Sequence, residues 1–137
     1  MNDDKAAILV NTIMRRTEEG RIPWTATSTE NAFEASFPKN TLRIVKEEGV
    51  DRETGEDYSV VRVDILDITG RTIDSIYPYT VRKQVSKPWE ATEGLFNRAR
   101  EQALGINEAV DGLLSELGGA VPLDKGKGDD LEDEIPF

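Results

Sequence analysis

Phe33-Glu34-Ala35-Ser36-Phe37-Pro38-Lys39-Asn40-Thr41-Leu42-Arg43-Ile44 is the stretch that decides the fold. Phe33, Ala35 and Phe37 alternate with polar positions, Pro38-Lys39-Asn40 reads as a turn, and Leu42 and Ile44 resume the alternation. A period of two places every second side chain on one face of an extended chain, and an alternation that breaks at a turn and resumes predicts a hairpin. Downstream, residues 51–57, with Gly49 and Gly55, predict a polar hairpin loop. Val61, Val63 and Ile65 then alternate, with Tyr58 and Val60 nearby, and Asp67-Ile68-Thr69-Gly70 predicts a turn leading into residues 73–79. Four strands in an antiparallel meander are expected.

The flanks change period. Residues 3–19 predict a helix that Asp3 or Asp4 can cap and Gly20 can close, with Ala6, Leu9, Val10, Ile13 and Thr17 on one face. Pro88 starts a second helix bearing Leu95, Phe96, Ala99 and Ala103, which Gly105 ends. Asn107 is expected to cap a third, striped by Ile106, Ala109, Val110, Leu113, Leu114 and Leu117. The expected fold class is α+β: an antiparallel four-stranded meander with an N-terminal helix and two C-terminal helices packed on one face, in the order α-β-β-β-β-α-α. Residues 1–117 are expected to form one domain, 118–128 a flexible linker and 129–137 a disordered acidic tail.

Charge narrows the functional classes. Residues 118–137 carry six acids and two bases, a net of −4, which leaves −6 of the chain's −10 to residues 1–117. An acidic body disfavours duplex binding, which needs a basic excess against phosphate. The chain has no Cys and no His, so thiolate chemistry, disulfides and the commonest general base are unavailable. Neither a phosphate-binding loop nor a dinucleotide-binding glycine pattern occurs, and no Ser, Cys or His constellation suggests an enzyme; no cofactor and no metal are expected. Met-Asn-Asp-Asp-Lys is not the basic start of a secretion signal, and no apolar run approaches membrane-spanning length. A cytoplasmic protein without membrane contact is expected.

The chain closes on Asp129-Asp130-Leu131-Glu132-Asp133-Glu134-Ile135-Pro136-Phe137. An acidic run alone serves solubility, but an exposed apolar tripeptide at its end works against solubility, so the two halves make sense together as a ligand. This tip resembles the C-terminal end of bacterial single-stranded DNA-binding proteins (SSB), which recruits replication, recombination and repair enzymes. The resemblance covers only the tip. It implies that Pro136 and Phe137 are the anchor, that Ile135 is an apolar neighbour, and that Asp129, Asp130, Glu132, Asp133 and Glu134 lie along a basic rim. It further implies partners of the exonuclease, helicase or recombination-mediator type. Phe137 offers a ring to a shallow pocket and its carboxylate to an Arg or Lys, while Pro136 limits the backbone freedom lost on docking.

One stretch of the body departs from the acidic pattern. Residues 75–89 contain no acid, and Arg82, Lys83 and Lys87 are interleaved with Tyr77, Tyr79 and Trp89. Aromatic rings stack on bases and cations meet phosphates, so the composition suits single-stranded nucleic acid. It suits better an ordinary strand-to-helix connection in which Trp89 enters the core, Tyr77 completes a strand and the lysines solvate the loop; a third reading makes it the resting place of the chain's own acidic tip when no partner is present. Arg15, Arg16 and Arg21 are expected to complement the C-terminal dipole of the first helix, and Trp24 to anchor the core. Asp51, Glu53, Glu56 and Asp57 lack the calcium-loop pattern. Asp64, Asp67 and Asp74 flank one hairpin, either as a potential metal set or as ordinary cross-strand carboxylates. Two functions remain: an adaptor that shows an SSB-like tip to SSB-reading enzymes, or a small single-stranded DNA-binding protein whose tail recruits partners.

Overall fold

The computed structural model describes residues 1–118. Helix α1 spans Asp3–Glu18, followed by strands β1 (Thr25–Ala26), β2 (Ala32–Ser36), β3 (Thr41–Val50), β4 (Asp57–Leu66) and β5 (Thr72–Ile76). A 3₁₀ turn at Pro78–Val81 leads to α2 (Pro88–Leu104) and α3 (Ile106–Glu116). The class is α+β, as expected, and the order of helices is as expected. The sheet, however, has five strands, in the antiparallel order β1-β2-β3-β4-β5. The extra strand is β1, whose Thr25 and Ala26 pair with Glu34 and Phe33. Two residues are too few to show a period, so only their backbone pairing reveals them. The predicted tail and linker lie outside the described residues, apart from Gly118.

Met1–Leu104 forms one compact unit, and the described residues from Gly105 to Gly118 lie outside it. In this unit, Ile44 pairs with Val63, and Leu42 with Ile65, so these side chains share one face of the sheet. Ala6, Val10 and Ile13 of α1 and Leu95, Phe96 and Ala99 of α2 join that face in a single core. Phe96 meets Phe33 with ring centroids 5.5 Å apart at 57°, a tilted contact that adds to the area it buries. Above the same ring, Lys46 pairs with Glu93 at 2.8 Å. That hydrogen bond pushes the Lys46 ammonium up, against the opposing effect of burial. Trp24 is the core anchor expected: only 5 % exposed, it donates its indole N–H to Thr17 Oγ1 at 3.0 Å.

Two helix starts differ from expectation. Asn2, not Asp3 or Asp4, caps α1, its side chain accepting from the Lys5 N–H at 2.7 Å. Asp3 and Asp4 then sit in the first turn, where acids complement the helix dipole. Asn107 does not cap α3. Gly105, left-handed at φ 62°, precedes it and offers no side-chain cap. The helix carries its apolar stripe, and none of its residues is buried. Gly49, expected in a loop, lies within β3, and the Tyr58 ring covers it from the opposite strand. Among the described residues no helix is long and apolar enough to cross a membrane.

Candidate functional site

Three surfaces of the Met1–Leu104 unit carry the relevant chemistry. The first is the basic-aromatic stretch. β5 ends at Ile76, so Tyr77 lies just past the strand, and Tyr79 sits in the 3₁₀ turn. Pro78 and Val81 of that turn are buried, which fixes the backbone and turns the intervening Tyr79 outward. Arg82 donates to the Tyr79 carbonyl at 2.8 Å and lays its guanidinium over the Tyr79 ring, 3.9 Å from its centroid. Lys83 and Lys87 are exposed. Lys87 has φ 48°, a left-handed backbone that costs a residue with a side chain roughly 1–3 kcal/mol. Trp89 is 47 % exposed on the first turn of α2 and does not enter the core. Proline at the helix start orients the Trp89 position; the core face of α2 begins with Thr92 and Leu95.

The second surface is the sheet face away from the helices. Strand pairing puts Glu34, Arg43, Asp64 and Ser75 in one cross-strand row. Asp64 is 1 % exposed and is the hub. It accepts from Arg62 Nε at 2.9 Å and Ser75 Oγ at 2.7 Å, and lies 3.5 Å from Arg43 Nε. Arg43 reaches on to Glu34 and to Thr72 Oγ1, and Arg62 to Glu47. Partial desolvation lowers the Arg62 pKa, but the bond to Asp64 and the charges of Asp64 and Glu47 raise it above its ordinary value. Two guanidiniums thus meet three carboxylates, and the patch offers no free positive charge to a phosphate chain.

This row also separates the three hairpin aspartates. Asp74 pairs with Ile65 and Asp64 with Ser75, so Asp64 and Asp74 stand on opposite faces. Asp67 closes its own turn, accepting from the N–H and hydroxyl of Thr69 and from the Arg71 N–H. The Thr69 hydroxyl and the Arg71 N–H hold its carboxyl well below the usual carboxylate range. Among the described residues no group of carboxylates gathers as a metal site requires. Only strand register could have shown this, and the sequence does not state register.

The third surface is a groove of about 700 Å³ between α1 and the β2–β3 corner. Leu9, Ile13, Phe37 and Leu42 supply its apolar lining, and Arg16 and Arg21 its charge. Phe37 belongs to the alternation that predicts β2, yet the strand stops at Ser36 and the Phe37 N–H bonds the Asn40 carbonyl at 2.8 Å. Phe37, 43 % exposed, becomes a wall of the groove. Arg16 and Arg21 share Glu19, at 3.0 and 3.8 Å, which leaves the trio one positive charge. Nothing in the sequence singles out this groove, because its walls come from three separate segments.

The residues 129–137 that resemble an SSB tip lie outside the described residues. Compared with known proteins, the chain matches no family model, no curated protein and no solved structure.

Proposed function

We propose that this chain is a non-enzymatic adaptor of DNA metabolism that docks through residues 129–137 onto proteins that read the SSB tip. The observation that carries the reading is one sequence feature: Ile135-Pro136-Phe137 placed directly behind Asp129, Asp130, Glu132, Asp133 and Glu134. In this reading Phe137 fills an apolar pocket on the partner, and burying its side chain contributes about 1.5–3 kcal/mol. The acids meet a basic rim; being exposed and screened, each contributes about 1 kcal/mol or less and chiefly speeds encounter. The acidic body agrees with this division of labour, since it is not drawn to DNA and leaves recognition to the tip.

The test is a pull-down from bacterial extract with three baits: the full chain, the chain lacking Phe137, and the chain extended by two residues past Phe137. Capture of exonuclease, helicase or mediator-type enzymes by the first alone supports the proposal, and the third bait reports whether the terminal carboxylate takes part. Equal capture by the first two leaves the acidic run as a solubility device.

A second reading is that the body itself binds single-stranded DNA. Exposed Tyr77, Tyr79 and Trp89 beside exposed Arg82, Lys83 and Lys87 favour it. Three cations imply shallow salt dependence and weak affinity, and one face of Tyr79 is already taken by Arg82. Anisotropy titration with labelled oligonucleotide decides between the readings. Submicromolar binding that Tyr79→Ala and Lys83→Ala both weaken would rank the DNA-binding reading first.

A further inference from the structure

We infer that the groove beside α1 is a receptor for residues 129–137 of a second copy of this chain. The inference rests on the proposed role of that segment as a docking peptide and gives it a competing partner. The groove is apolar along Leu9, Ile13, Phe37 and Leu42, which matches Ile135, Pro136 and Phe137 in character. Its charged side chains are Arg16 and Arg21, and among the described residues no acid lines it. The segment is its complement, with five acids and no base between residues 129 and 134. A carboxylate from the peptide can displace Glu19 from one guanidinium without leaving that acid unpaired, because Glu19 contacts both. Phe37 stands partly in solvent at the groove, as does the side chain of Arg21 at 66 % exposure, so both are accessible to an incoming chain.

Groove and peptide are different surfaces, so each contact is heterologous, and two copies close the pair by each docking the other's segment. A peptide engaged in this way is withheld from SSB-reading enzymes. Raising the concentration of the protein then lowers the fraction available to partners.

Sedimentation of the full chain at low and high concentration tests this, alongside three variants. Arg16→Glu with Arg21→Glu reverses the groove, Phe37→Ser opens it without removing a buried side chain, and Phe137→Ala alters the peptide. The expected result is concentration-dependent self-association that weakens as salt rises and is weakened about tenfold or more by each variant. Mixing the groove-reversed chain with a chain carrying Glu132→Lys and Asp133→Lys should restore association between the two. A chain that is monomeric throughout would overturn the inference. So would association indifferent to the groove changes, or groove resonances that respond to Phe137→Ala in a chain that stays monomeric. Binding of an SSB-reading enzyme separates this inference from the reading beneath it. The groove-reversed chain keeps its tip and should bind such an enzyme at least as well as the parent, whereas loss of the docking role would remove that binding from both.

Discussion

At the residue scale, the side chains with most at stake are buried polar groups whose partners are fixed. Thr17 accepts the Trp24 indole N–H within the core, while its carbonyl accepts from Gln102 Nε2 at 2.8 Å. Thr17→Val keeps the shape but leaves the indole donor unpaired, which should cost about 1–3 kcal/mol. Urea unfolding followed by Trp fluorescence measures it, with Thr17→Ser as the variant that retains the acceptor. Asp64→Ala releases two guanidiniums and a hydroxyl at once. Because Arg43 and Arg62 keep some solvent access, the loss should be about 1.5–3 kcal/mol rather than that of a fully buried pair. A double-mutant cycle with Arg62→Met isolates the coupled part. Asp67 gives a pH signature. Its pKa is lower folded than unfolded, near 3.9, so its contribution is complete above about pH 4 and is lost as pH falls toward the folded value. Thr69→Ala removes the first hydrogen bond and should move the Asp67 titration, followed by NMR, upward.

At the element scale, the helices and long strands were legible because each obeys one period over many residues. Val61 and Val63, Ala6 and Val10, and Leu95 and Ala99 are buried where their spacing places them. What escaped the sequence has local causes. Asn2-Asp3-Asp4 offers three residues able to cap α1, and only backbone geometry chooses Asn2. Gly105 both follows α2 and starts α3, so the junction has no side-chain cap to recognise. Trp89 carries a core-type side chain but falls on the exposed arc of α2, one residue after the proline that starts it. The groove was invisible since Leu9, Phe37 and Leu42 are each read as parts of separate elements. Phe96 shows what the buried arc is worth. Phe96→Ala removes the ring that meets both Phe33 and Lys46 and should cost about 3–5 kcal/mol. Trp89→Ala, on the exposed arc, should change thermal unfolding little, within about 0.5 kcal/mol.

At the scale of the whole molecule, the proposed function divides the labour of the chain. The α+β unit pairs the arginines of its sheet face with carboxylates and so offers little to a phosphate backbone, and the proposal assigns recognition to one apolar-ended acidic segment. The central claim is that Phe137 makes that segment a ligand. Calorimetry with an exonuclease or helicase that reads the SSB tip tests it most directly, comparing the full chain, the chain lacking Phe137, and Asp129→Asn with Asp130→Asn. Deleting Phe137 should abolish most of the binding. The paired Asn changes should weaken it only modestly, with a deficit that shrinks as salt rises. Equal affinity with and without Phe137 would contradict the account.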